Sequence, residues 1–261
     1  MANLKDLNVE QLKAMGLTEE QIQGILGVKN DTSNSGSLPF PLVKVNYDSD
    51  LGKIGSICFN PKKDDDGVVV ECEKVFDNPF KVRFLKSAYQ YSKYDATLNK
   101  TTIVSNIFSN LQDAKKAYDL KSGVAISELK ENDDTVKFNR ISLVELYDDE
   151  GNSYTGIWYI KGAYLFELND ILNKFDNNAH LSQILEIQNK KRKKGTVTYF
   201  TPELVGNEEV DFLKTIKDDS EKIVKFDKWI EDVNSGGTQQ QSTSQSSSST
   251  DDIDEEDYEL D

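Results

Sequence analysis

The sequence predicts a β-rich α+β fold with a barrel-like body, on three observations. Nine segments between Leu38 and Val233 are rich in β-branched and aromatic residues and are bounded by turn chemistry, the pattern of short strands. Few segments carry helical periodicity, and those fall between or after the strands. One strand pair brackets the run Asp148–Ser153, DDEGNS, a turn signal that predicts an antiparallel hairpin. Many strands with a few peripheral helices pack as a barrel or a β-rich two-layer body.

The elements follow in chain order. Residues 1–28 predict a small N-terminal helical pair: Asn8 and Thr18 are N-caps with Gln11 and Gln21 at capping-box spacing. Leu12, Met15, Leu17, Ile22, Ile25 and Leu26 supply its apolar faces, and a pair this short is a docking module or packs on the body. Residues 29–37, KNDTSNSGS, form a linker once the preceding Val28 is passed, and the body spans 38–233. Its predicted strands are LVKVNY, IGSICFN, GVVVECEKVF, FKVRFL, TTIVSNIF, GVAISELK, TVKFNRISLVELY, YTGIWYIK and GTVTYFT. Helices are predicted over SNLQDAKKAYDL, from about Leu165 to Asn189 with a break near DNNAH, and over a closing stretch from Glu208 to Val233. Residues 234–250 lack charge and read as a flexible linker, and 251–261 form a disordered acidic tail.

Charge bookkeeping locates the acidity. The chain carries 31 basic and 46 acidic residues, for a net charge of −15, and the tail alone supplies −8. The body is only −5, on 28 bases and 33 acids, so it has room for a basic groove. Cys58, Cys72 and His180 are the only cysteines and histidine, too few for a four-ligand zinc site, and no cofactor or metal is expected. Two thiols make no disulfide framework, which points to a reducing, cytoplasmic setting. The mixed charge of residues 1–16 is unlike a signal peptide, and GIWYIKGAYLFEL is too short to span a bilayer, so no membrane contact is expected.

Enzyme motifs fail on inspection, and the expectation is a protein that is not an enzyme. Gly151 and Gly156 have phosphate-loop spacing, yet Ile157 and Trp158 stand where Lys and Ser/Thr are required. KKDDDGVVVECE puts Asp64, Asp66, Gly67 and Glu73 in calcium-loop register, but Lys62 takes the first ligand position and valines follow. No nucleophile–histidine arrangement is present. A two-metal site built from carboxylates alone is the remaining enzymatic option, and no cluster singles itself out.

The suggestive chemistry is aromatic and basic. In FKVRFLKSAYQYSKYD, Lys81 and Arg83 share one strand face, Tyr89 and Tyr91 are again two apart, and Lys86, Lys93 and Tyr94 stand beside them. Lys190, Lys191, Arg192, Lys193 and Lys194 put five charges on one helix exit or loop, directly before a strand with Tyr199 and Phe200. The hairpin strand adds Trp158, Tyr159, Lys161 and Tyr164. Unpaired bases stack on aromatic faces, at about 1–3 kcal/mol per base, while lysine and arginine neutralise phosphates. The competing structural reading is that many strand aromatics pack in the core, and that Trp158 and Tyr159 point to opposite faces.

Taken with the polar linker and the acidic terminus holding Ile253, Tyr258 and Leu260, this arrangement resembles the phage-type single-stranded DNA-binding proteins. The resemblance implies an OB-like antiparallel barrel with peripheral helices, and a role in binding and protecting single-stranded DNA during replication and recombination. It also implies a tail, here Asp251, Asp252, Ile253, Asp254, Glu255, Glu256, Asp257, Tyr258, Glu259, Leu260 and Asp261, that recruits replication or recombination proteins. This tail ends in ELD rather than in an apolar residue, and the zinc ligands of some phage members have no counterpart here. The linker of 17 residues has a span of about 20–25 Å as a coil, enough to lay the tail over the body's own basic groove. A homo-oligomer is compatible with this reading. The rival class is a non-catalytic interaction or assembly protein that uses the acidic tail and N-terminal helices. Geometry separates the two: Lys81, Arg83, Tyr89, Tyr91 and Lys190–Lys194 should border one groove.

Overall fold

Nine strands do form, though not the same nine. The computed structural model describes residues 38–235, apart from 48, 65–68, 96, 99, 134, 176–180 and 211. The N-terminal helical pair, the linker at 29–37, His180, most of the linker at 234–250 and the acidic tail lie outside the described residues. The strands are β1 (Leu42–Val45), β2 (Ile57–Lys63), β3 (Val69–Phe76), β4 (Phe80–Asp95), β5 (Lys100–Val104), β6 (Lys137–Tyr147), β7 (Ser153–Lys161), β8 (Gln183–Lys194) and β9 (Val197–Glu209). The helices are α1 (Ile126–Asn132), α2 (Gly162–Leu172) and α3 (Phe212–Asn234).

All nine strands join one sheet in the order β3-β2-β1-β7-β6-β4-β8-β9, with β5 paired to the far half of β4. The sheet is strongly curled into an open half-barrel rather than a closed one. Every pairing is antiparallel except β1 with β7. Register shifts at Lys62/Lys63, Phe84/Lys86, Lys93/Tyr94 and Glu186/Ile187 mark bulges, which bend and twist the strands that carry them. The DDEGNS turn closes the predicted β6–β7 hairpin, paired from Asn139↔Lys161 to Tyr147↔Ser153.

Two cores lie on the two faces of this sheet. The inner face gathers Val43, Phe59, Phe80, Val82, Phe84, Val144, Leu146, Trp158 and Leu185 around α2. In α2, Tyr164, Leu165, Leu168, Ile171 and Leu172 are buried, at the spacing of one apolar helix face. On the outer face, Phe226, Trp229, Ile230 and Val233 of α3 repeat at three and four residues and cover Leu85, Ala88, Ile141, Leu143 and Ile157. A smaller cluster forms where Phe108, Ala117, Ile126 and Val136 meet Tyr89, Tyr91 and Phe138.

Four expectations are corrected. GVAISELK is helical over α1 rather than a strand, because Ile126 and Leu129 use an i,i+3 spacing to enter the small cluster. SNLQDAKKAYDL forms only a short 3-10 segment, Leu111–Lys116, with Asn110 capping Gln112. The long helix expected to reach Asn189 ends at Leu172, and residues 183–194 are strand β8. There Gln183, Leu185, Ile187 and Asn189 are buried and alternate with half-buried neighbours, a period of two. Cys58 and Cys72, expected as thiols, are joined: β2 and β3 are antiparallel neighbours and hold the two Cα atoms 5.5 Å apart.

Gly156 fixes how closely β1 approaches β7. A Cβ there would lie 2.6 Å from Val43 Cγ2 and 3.0 Å from the Pro41 carbonyl oxygen. That carbonyl accepts the Ile157 N–H at 2.8 Å, so it cannot retreat without breaking a bond. Gly156→Ala is expected to lower the unfolding free energy by about 1–3 kcal/mol, the usual range for overpacking, with the shift read in urea denaturation. An unchanged midpoint would mean that β1 yields without cost.

Candidate nucleic-acid interface

The expected groove divides because of one residue. In a regular strand, positions 81, 83, 89 and 91 share a face. The β4–β6 register passes from Phe84↔Val144 to Lys86↔Leu143, leaving Leu85 as an extra residue, so the alternation inverts there. Lys81, Arg83, Leu85, Lys86 and Ala88 therefore belong to the outer face, and Tyr89 and Tyr91 to the inner one. Arg140 shows the inner placement directly, lying 5.9 Å from the Phe84 ring and 6.0 Å from the Tyr89 ring.

Most of the candidate cations on and around β4 are committed to acids. Arg83 is 1% exposed and is enclosed by Glu145, Asp219, Thr215 and the Leu181 carbonyl. Lys86 pairs with Asp227 of α3 at 2.6 Å, and Lys81 stands 3.9 Å from Glu208. Lys93 bonds Asp133, which together with Thr135 holds that carboxyl down at about 2. Tyr89 stacks on Phe138 at 5.5 Å, Tyr91 lies 5.1 Å from the same ring, and Tyr94 is half-buried near the end of β4. Trp158 is a core residue, 3% exposed, between Phe80, Phe84 and Tyr164. Arg83 and Trp158 are buried in the interior, contrary to the expectation that they line a binding surface, while Tyr89 and Tyr91 are half-buried against Phe108 and Phe138.

The basic run behaves differently. It is neither a helix exit nor a loop but the outgoing arm of the β8–β9 hairpin, which turns through Gly195, at φ +58°, and Thr196. β8 pairs with β4 only over Leu185–Ile187, so the arm beyond it is a two-stranded ribbon. Lys191 and Lys193 stand opposite Phe200 and Thr198, while Lys190, Arg192 and Lys194 stand opposite Thr201, Tyr199 and Val197. Both faces of the ribbon are thus cationic. Lys190 meets Glu203 at 3.1 Å and Arg192 donates to Thr201 Oγ1 at 3.2 Å. Lys191, Lys193 and Lys194 are exposed and have no ion pair among the described residues.

Beside this ribbon lies a groove of about 320 Å³ lined by Tyr47, Ile54, Lys191, Val197, Thr198 and Phe200. Tyr47 is 41% exposed and meets the Phe200 ring edge-on, with centroids 5.2 Å apart. Ile54 is 44% exposed. Phe200 itself is a core residue, 3% exposed, so Tyr47 supplies the accessible aromatic face and Lys191 the ammonium group in this groove, a pairing that a flexible polyanion with planar bases would use.

Asn189 anchors the ribbon, and sequence reasoning passed over it. Its side chain donates to the Gly55 carbonyl at 2.7 Å and accepts from the Tyr164 hydroxyl at 2.7 Å. Its backbone N–H donates to Asn78 Oδ1 and its carbonyl accepts from Asn78 Nδ2, at 2.7 and 2.9 Å. Asn78 so imitates a neighbouring strand. The only available signal was a lone Asn at a core-facing position of an alternating segment.

Glu145, Asp218 and Asp219 bring carboxylate oxygens within 4.8 Å of one another, but Arg83 and Lys222 already bond them. The cluster is an ion-pair network. No helix among the described residues is long and apolar enough to cross a membrane. Comparison with protein-family models, curated proteins and solved structures gives no match for this chain.

Proposed function

We propose that this protein binds single-stranded DNA, with the tip of the β8–β9 hairpin gripping phosphates and the adjacent groove receiving bases. The observation that carries this reading is the contrast in pairing: Lys81, Arg83, Lys86 and Lys93 meet acids, while Lys191, Lys193 and Lys194 stay exposed at the hairpin tip, Lys191 in the groove with Tyr47. Within it, the open curled sheet is the counterpart of the OB-like barrel, and Lys190, Arg192 and Tyr199 form the second face of the grip. The acidic tail, Asp251–Asp261, competes for the same lysines at an effective concentration of order millimolar, and meets replication or recombination partners once a strand displaces it.

The test is fluorescence anisotropy of a labelled oligo-dT of about 30 nucleotides across a salt series, with full-length protein beside a version ending at Ser249. Salt-sensitive binding that tightens on removal of the tail is expected. No binding by either version at low salt overturns the reading, and the interaction-protein alternative then takes its place.

A further inference from the structure

The β8–β9 arm carries cations on both faces, more than one nucleic-acid backbone can meet. Outward from Lys191↔Phe200 its strands pair only with each other, through Arg192↔Tyr199, Lys193↔Thr198 and Lys194↔Val197, and Gly195 and Thr196 close the turn. Successive side chains of a strand point to opposite faces, so Lys191 and Lys193 stand on one side and Arg192 and Lys194 on the other. All four are exposed, and no acid occurs from Ile187 to Pro202. From Lys193 to Thr198 there is also no aromatic side chain on which an unpaired base could stack. The base of the arm is fixed. Asn189 bonds Gly55, Tyr164 and Asn78, and Phe200 is buried so close to Gly55 that a Cβ there would lie 3.0 Å from its ring.

We propose that the tip of this arm also enters the major groove of B-form duplex DNA, a ligand beyond the single strand proposed above. A duplex groove has a phosphate backbone along each wall, so a ribbon inside it meets negative charge on both faces. A lone strand brings one backbone only. The dimensions agree: the rungs at Arg192, Lys193 and Lys194 extend about 10 Å, at about 3.4 Å per residue, against a groove about 8.5 Å deep. The groove is about 12 Å wide and admits a two-stranded ribbon. Bases in a duplex are already stacked, so a tip without aromatics forgoes nothing there. The leading edge is Gly195, with no side chain, and Thr196, whose hydroxyl both donates and accepts, so the tip reads charge and shape rather than sequence. Because the base of the arm is held in place, insertion orders little of the chain. The inference shares the lysines of the single-strand reading but not its ligand.

The experiment titrates the full chain at low salt into a labelled DNA duplex of about 20 base pairs, with oligo-dT in parallel. The same duplex is then measured with bulky substituents on C5 of its pyrimidines, which fill the major groove, and with distamycin, which fills the minor groove. Major-groove bulk should weaken binding about tenfold or more, and distamycin should leave it nearly unchanged. Duplex RNA has a similar backbone charge but a major groove too narrow for the ribbon, and should bind several-fold more weakly than duplex DNA. Lys191→Gln with Lys193→Gln, and Arg192→Gln with Lys194→Gln, should each lower the slope of log K against log salt by about 2, at about 0.9 per phosphate. An effect of one pair only would mean contact with a single backbone and overturns the proposal. So does indifference to major-groove bulk, or an absence of duplex binding. Oligo-dT binding without duplex binding removes this inference and leaves the single-strand reading, and duplex binding that major-groove bulk weakens, without oligo-dT binding, does the reverse.

Discussion

Arg83→Met is expected to lower the unfolding free energy by about 3–5 kcal/mol, the range for removing one partner of a buried ion pair. Arg83 ties β4 to β6 through Glu145 and to α3 through Asp219 and Thr215, and its Nε donates to the Leu181 carbonyl at 3.1 Å. Asp219 is 4% exposed and Glu145 is also 4% exposed, so water cannot replace the lost donors. Lys222 and Tyr147 still serve Glu145, whereas Asp219 loses both of its guanidinium bonds. Arg83→Lys should recover little, since a single ammonium cannot span the same acceptors. The double variant Arg83→Met with Asp219→Leu should be more stable than Arg83→Met alone, because it removes the abandoned charge as well as its partner. Urea denaturation of wild type, Arg83→Met, Asp219→Leu and the double variant reads the cycle. Equal stability of Arg83→Met and wild type would show that α3 docks through Phe226, Trp229 and Ile230 without the network.

Much of the architecture is legible in side chains. The β6–β7 hairpin follows from the DDEGNS turn, and the closing helix from apolar residues at Phe226, Trp229 and Ile230. The strand character of β8 was also present, in Leu185 and Ile187 alternating with Glu186 and Gln188, but a helical reading of the long preceding segment swallowed it. Other features leave no local trace. The extra residue at Leu85 is a property of the pairing with β6, and its own side chain packs like any core leucine. Yet that residue decides that Lys81 and Tyr89 point to opposite faces. The parallel β1–β7 contact depends on partners over a hundred residues apart, and so does the Asn78–Asn189 anchor. For the candidate interface, composition identified the five-residue basic run, but Tyr47 and Ile54, which complete its groove, come from a loop with no such signature.

Neutralising Lys191, Lys193 and Lys194 together with glutamine should weaken oligo-dT binding on the order of 10²-fold at low salt, if each loses one phosphate contact. The slope of log K against log salt should also fall by about 2, because each phosphate neutralised on a single strand contributes about 0.7. The protein should remain folded, since these side chains are exposed and lie beyond the Asn189 anchor. Lys81→Gln and Lys86→Gln provide the contrast. Each removes one positive charge, as the hairpin substitutions do, but from a site already facing an acid, Glu208 or Asp227. Net charge alone predicts that every substitution weakens binding by a similar factor per charge. A hairpin grip predicts that the slope changes only with the hairpin set, and that removing the tail tightens wild-type binding but scarcely affects the neutralised hairpin, which no longer attracts either polyanion. Equal effects from Lys81, Lys86 and the hairpin lysines would move the binding surface away from the β8–β9 tip.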